Sequence, residues 1–178
     1  MYKREATQNA ADLQWLATLL TGSRETGIDV TTDAAELADD PNRFFSTWMD
    51  AWSRRLVIAG ALTAVREQLA ASAQRTALKR GSRSALPPRS WALDTETTKS
   101  DLERALLSVD VFPRAAILLL VFERVPLKDA AILLDVDVTL LLKAQAAGAR
   151  ELTLNLARMQ GWKSIAPSSK AAVASETA

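Results

Sequence analysis

The sequence predicts an all-α protein of two small helical domains joined by a linker, the second containing a helix-turn-helix. Three observations carry that expectation. Of 178 residues 48% are hydrophobic, with only 6 Gly and 6 Pro, which favours long helices over a turn-rich β architecture. Apolar residues recur every three or four positions over most of the chain. One stretch, from Gly81 to Thr98, interrupts that periodicity with Ser, Pro and Thr and reads as the linker. The expected units are therefore 1–80, a linker at 81–98, a helix-turn-helix unit at 99–160, and a small, polar tail at 161–178 expected to be disordered.

The first helix is expected over about Ala10 to Leu20, with Leu13, Leu16, Leu19 and Leu20 on one stripe and Gly22 just beyond its end. A second, short helix is expected from Asp33, capped by Thr31 or Thr32, because Val30, Thr31 and Thr32 are β-branched and weak helix formers. A third begins after Asp40, with Pro41 in its first turn, and carries Phe44, Phe45, Trp48, Trp52 and Leu56 on an apolar stripe. It runs to about Arg80, which is long for one helix, so a break is expected near Gly60. Trp48 and Trp52 share a face and are expected to be buried together.

The second unit starts with a helix from Ser100 to Val109, followed by one that Pro113 opens and that spans Arg114 to Arg124. Its apolar run from Ala115 to Phe122 is far shorter than the ~18 residues a bilayer span needs and reads as a buried core helix. Pro126 opens a two-turn helix ending at Leu134, Asp135 to Asp137 make a turn, and a long helix follows from Val138 to Gln160. That spacing is the pattern of a helix-turn-helix, closed by Leu127, Leu134, Val136 and Leu141. Leu140, Leu141 and Leu142 are consecutive and cannot all face one core, so Leu140 and Leu142 are candidates for a protein-contact face.

Composition excludes much chemistry. With no Cys and no His, disulfides, thiolate nucleophiles, imidazole catalysis and the usual zinc sites are unavailable. No Gly-rich phosphate loop is present and no acid has a partner suited to acid–base work, so no enzyme activity, cofactor or metal is expected. The N-terminus lacks the apolar core of a secretory signal, and the expected location is the cytoplasm. Net charge is +1, but unevenly spread. Arg24 to Asp50 holds seven acids and two Arg, Arg54 to Arg89 holds eight bases and one acid, and 101–160 holds seven bases and eight acids. The basic stretch is the natural nucleic-acid footprint, with a solvated helix face as its plain alternative.

Particular segments resemble the short, extracytoplasmic-function type of bacterial RNA polymerase sigma factor, over roughly Asp12 to Arg158. Residues 105–114 (ALLSVDVFPR) resemble the family's lead-in to its helix-turn-helix, and 126–136 (PLKDAAILLDV) its first helix and turn. Residues 20–29 (LTGSRETGID) are similar to the segment leading into the polymerase-clamp-binding helix, and 45–49 (FSTWM) to the opening of the promoter-melting helix. The resemblance implies a transcription-initiation protein that binds the RNA polymerase core and promoter DNA, with an anti-sigma-like protein as a further partner. It places Asp29, Thr32, Asp33 and Glu36 against the polymerase, Arg54, Arg55 and Arg66 against DNA near the melted segment, and Lys143 and Arg150 on phosphates of the upstream element.

The chain also departs from that pattern. The family's clamp-binding glutamine falls on Thr32, its melting-helix asparagine on Arg55, and its turn glycine on Asp135. The helix that should read base edges offers Leu140, Leu141, Leu142, Lys143 and Ala144, and leucine and alanine supply no bidentate base contacts. An alternative expectation follows: a sigma-derived helical interaction module that has lost specific DNA recognition.

Overall fold

The computed structural model describes residues 2–38, 46–79, 86–87 and 97–162, with side chains over 10–36, 51–79, 86–87 and 97–162. Its order is α1 (Tyr2–Thr21), α2 (Arg24–Ala38), α3 (Ser46–Ala64), α4 (Arg66–Leu78), α5 (Lys99–Leu107), α6 (Val111–Ile117), a π-helical turn (Leu118–Phe122), α7 (Leu127–Leu134) and α8 (Val138–Met159). The described residues are predominantly helical, as the composition predicted, with no strand among them. Most of the expected linker, Phe44, Phe45, the Trp48 side chain and the tail lie outside the described residues.

α1, α2 and α3 pack on one another, and α1 and α4 also pack on α6. α8 covers α6 from another side and receives α5, while α7 packs on α8 and on α3. The reason lies in α6. Every residue from Val111 to Ile117 is buried, as are Leu118 and Leu119 in the following turn. A helix apolar all round has to be covered all round. One continuous core results, from Leu16, Leu19 and Leu20 through Val57, Ala61 and Leu62 to Phe112, Leu119 and Leu141. Burial of a single such Leu or Phe side chain is worth about 1.5–3 kcal/mol.

Three local expectations change. α2 is one continuous helix from Arg24, started by Ser23, whose Oγ accepts the Thr26 N–H at 3.3 Å. Thr31 and Thr32 do not cap it. Their hydroxyls donate back to the carbonyls of Gly27 at 2.9 Å and Ile28 at 3.0 Å, which satisfies a β-branched residue inside a helix. The break between α3 and α4 falls at Val65 (φ −113°, ψ 19°), not at Gly60, and bends the pair by 73°. Gly60 stays helical because Val30 lies there, 3.1 Å from where a Cβ would sit. The helix expected from Arg114 begins earlier, at Val111, because Asp110 caps it through the Val111 N–H. No single helix among the described residues is long and apolar enough to cross a membrane.

Tight approaches hold the helices together. A Cβ on Gly148 of α8 would lie 2.6 Å from the Pro113 carbonyl and 2.7 Å from Ile117 Cδ1. Gly148→Ala gains roughly 1 kcal/mol of helix propensity. Overpacking of this kind costs about 1–3 kcal/mol. The expected outcome is a lower Tm, by about 2–4 °C for each kcal/mol of net loss in a chain of this size. An unchanged or raised Tm by calorimetry would mean that α8 and α6 are not held this closely.

α5 opens with a capping box: Thr98 Oγ1 accepts the Asp101 N–H at 3.1 Å, and Asp101 accepts the Thr98 N–H at 3.1 Å. The Thr98 hydroxyl first, then its backbone N–H and Arg104, hold the Asp101 carboxyl down at about 2. Because the folded value is depressed, the stabilisation is present above the ordinary carboxylate range and is lost as pH falls towards about 2. Carboxyl NMR should show Asp101 titrating near that pH, and Thr98→Ala should move the midpoint upward. A midpoint in the ordinary range for the unaltered chain would contradict the box.

Candidate functional site

The residues expected to meet partners divide into three surfaces. On α2, Asp29, Thr32, Asp33 and Glu36 are all exposed and lie along one edge with Glu25, as positions three, four and seven apart on a helix must. None of these acids takes part in an ion pair among the described residues. The structure thus brings the α2 residues together on one solvent-facing edge.

The basic stretch is used differently from what its composition suggests. Arg54 of α3 forms a two-point pair with Glu123, with Nη2 to Oε1 at 2.9 Å, and the Glu123 side chain is only 9% exposed. Arg75 of α4 grips Asp110 at 2.9 Å, and Lys79 reaches Glu151 at 3.4 Å. Burial pushes the Asp110 carboxyl up, but Arg75, Ser72 and the Val111 N–H outweigh it, and the net shift is downward. These three bases therefore cross from the first helical unit to acids of the second. Arg54, expected on DNA, is a clasp to the π-helical turn. Arg55 and Arg66 are exposed and form no ion pair among the described residues, whereas Arg80, Arg83 and Arg89 lie outside them.

A fourth crossing lies at the other end of α1, where Trp15 Nε1 donates to Glu103 at 3.0 Å and Lys99 sits 4.6 Å over the Trp15 ring. Arg114 locks the middle. Its side chain is buried against Gly22, which has φ +77°, and its Nη1 donates to the carbonyls of Val109 at 3.0 Å and Leu107 at 3.2 Å. Burial depresses its pKa, opposed by the charge of Asp110. Sequence reasoning did not single Arg114 out; its signal was one charged residue inside an otherwise apolar run.

α7 and α8 form the hairpin whose spacing suggested a helix-turn-helix. Asp135 ends α7 in the left-handed conformation (φ 53°, ψ 49°), where the resembled pattern carries glycine. Asp and Asn tolerate that region better than other side chains. Asp137 then caps α8 by accepting the Leu140 N–H at 2.8 Å. Leu134 and Leu141 are buried and Leu127 and Val136 pack against the core, as the spacing predicted. Leu140 is half-buried, while Leu142 is 46% exposed.

Solvent around the hairpin meets apolar and acidic groups. Ile132 is 78% exposed, and Leu133 and Val138 are exposed beside it. Between them runs a groove of about 550 Å³ lined by Ala131, Ile132, Val136 and Val138, with Lys128, Asp135 and Asp137 at its edges. Lys143 is exposed, and its Nζ donates to the Ala77 carbonyl at the end of α4, at 2.7 Å. That is where a cation complements the helix dipole. Arg150 is half-buried, with its Nε closed off from solvent. Trp52, expected to be buried with Trp48, is 41% exposed.

No family model, curated protein or solved structure matches this chain.

The two arginines side by side on α3 should behave differently. Arg54→Ala leaves the buried Glu123 carboxylate unpaired and should cost about 1–3 kcal/mol. Arg55→Ala removes an exposed side chain and should stay within about 0.5 kcal/mol. Urea denaturation of the two variants checks this, and equal midpoints would remove Arg54 from the clasp.

Proposed function

We infer that the chain is a protein-interaction module on a sigma-factor-like helical scaffold, one that no longer reads DNA through its helix-turn-helix. The observation that carries this reading is the hairpin surface itself. Ile132, Leu133, Val138 and Leu142 face solvent there. From α7 through the first turns of α8 the charged residues are Asp129, Asp135 and Asp137 against Lys128 and Lys143, and Lys143 bonds to α4; Arg150, Glu151 and Arg158 lie further along α8. Duplex DNA binding draws most of its affinity from neutralised phosphates, and base reading needs bidentate donors. Apolar side chains and aspartates offer neither. Exposed apolar groups clustered on one face are instead what protein interfaces use.

A second reading, a transcription-initiation protein that binds the RNA polymerase core and promoter DNA, is favoured by α2. Asp29, Thr32, Asp33 and Glu36 form an unpaired acidic edge suited to a basic protein surface. Arg55 and Arg66 are the exposed bases of the first unit that would meet DNA under this reading.

The two readings separate in one experiment. Labelled duplex promoter fragments are titrated with the full chain, alone and with purified core polymerase, between about 50 and about 200 mM salt. The interaction-module reading expects no shift that depends on this chain at any salt concentration. A steeply salt-sensitive shift lost in Arg55→Ala with Arg66→Ala overturns it in favour of promoter binding. Comigration with core polymerase, without a DNA shift and lost on Asp29→Lys with Asp33→Lys, keeps the module reading and assigns α2 to the polymerase.

A further inference from the structure

We propose that the groove between α7 and the start of α8 seats an amphipathic helical segment of a protein partner, one carrying a large apolar side chain flanked by lysine or arginine. The proposal rests on the interaction-module reading and names the chemistry of its partner. Ala131 and Val136 are the more deeply set lining residues, and Ile132 and Val138 rise from them into solvent. An aliphatic anchor seated there meets Ala131, Ile132, Val136 and Val138 together, and binding energy commonly concentrates in a few such contacts.

Charge selects the occupant. Asp135 and Asp137 border the groove, Asp129 stands exposed on α7, and Lys128 is the base among the lining residues. None of the three aspartates forms an ion pair among the described residues. A partner with acidic flanks, or a polyanion, meets like charge from Asp135 and Asp137 in the turn that lines the groove. One with basic flanks meets complementary charge, which favours encounter and excludes wrong partners.

The backbone selects a helix over a strand. Ala130 N–H donates to Pro126, Val136 N–H to Ala131, and Leu141 N–H to Asp137, so these amides of the hairpin are already engaged. No free sheet edge exists among the described residues for strand addition. Laying an apolar helix face into a groove is the remaining common mode of peptide recognition.

The test uses the full chain and two fluorescein-labelled helical peptides of equal length and equal leucine content. One carries lysine and the other glutamate on the flanks. Fluorescence anisotropy near physiological ionic strength should show saturable binding of the lysine peptide, at least about tenfold tighter than of the glutamate peptide. Asp135→Asn with Asp137→Asn keeps the left-handed turn and the cap, because Asn serves both, and removes two charges. That variant should erase most of the preference. Ile132→Ser with Val138→Ser changes exposed side chains and should abolish lysine-peptide binding while the helical circular dichroism signal stays unchanged.

Equal affinity for the two peptides, binding to neither, or lysine-peptide binding unaffected by the serine pair would each overturn the proposal. Labelled duplex DNA offered in the peptide's place separates the failures. Loss of peptide binding without duplex binding removes this partner and leaves the interaction-module reading standing. Duplex binding abolished by the same serine pair overturns both.

Discussion

α6 has no polar face to offer solvent, and the arrangement of the other helices follows from that. From Val111 to Leu119 the chain presents only apolar side chains and Arg114, and all of them are buried. Helices from the first half of the chain, α1 and α4, and α8 from the second must therefore close around it. Arg114 shows how strict the requirement is. Arg114 is 5% exposed; its Nη1 satisfies the carbonyls of Leu107 and Val109, at and just beyond the end of α5, and its guanidinium backs the glycine just after α1. A buried cation costs much unless it is hydrogen-bonded, and this one sits where otherwise orphaned carbonyls collect. The turn between α1 and α2, the turn between α5 and α6, and the core helix thus share one side chain.

The uneven charge along the chain acquires a physical meaning in this setting. Most of the described bases in the stretch beginning at Arg54 turn inward, towards Glu123, Asp110 and Glu151, all of them beyond residue 100. The more exposed of these pairs, Arg75–Asp110 and Lys79–Glu151, contribute little individually, whereas Arg54–Glu123 has a buried acid. Spread along the seam between α3, α4 and the second half of the chain, they fix how the two halves face each other, while the apolar core supplies the cohesion. Basic residues committed to a seam are withdrawn from phosphate contact. Three of the eight bases in that stretch are engaged in this way, whereas Arg55 and Arg66 stay exposed.

Helix identity was legible in the sequence because periodicity and composition are local. α7, its turn and α8 lie where Pro126, Asp135 and Asp137 placed them; of the apolar run expected to be a buried core helix, Ala115 to Leu119 is buried, whereas Val121 and Phe122 are exposed at the end of a π-helical turn. What sequence could not supply was long-range. Gly60 looked like a break, but its missing Cβ makes room for Val30, thirty positions away in sequence, and the bend moved to Val65. Thr31 and Thr32 looked like caps because β-branched residues resist helices, yet back-bonding to the previous turn let α2 run through them. Arg54 and Lys143 looked free because nothing local marks a partner that lies 69 or 66 residues away. For the candidate site, residue type was readable, and the α2 edge follows from helical spacing alone. Availability was not readable, because it depends on which distant carboxylate or carbonyl a side chain meets.

The hairpin separates two requirements that are usually met together. Its shape depends on a left-handed residue at 135, a cap at 137 and buried leucines at 134 and 141, and all of these are satisfied. Its solvent-facing side is made by other positions, among them Ile132, Val138, Leu142 and Lys143. Those positions can change from polar to apolar without loss of the scaffold, because exposed substitutions cost little stability. Both aspartates that preserve the turn also repel phosphate. A glycine at 135 and a serine or threonine at 137 would have made the same turn without charge. Aspartate at both places keeps the left-handed turn and the cap while giving this end of the hairpin negative charge.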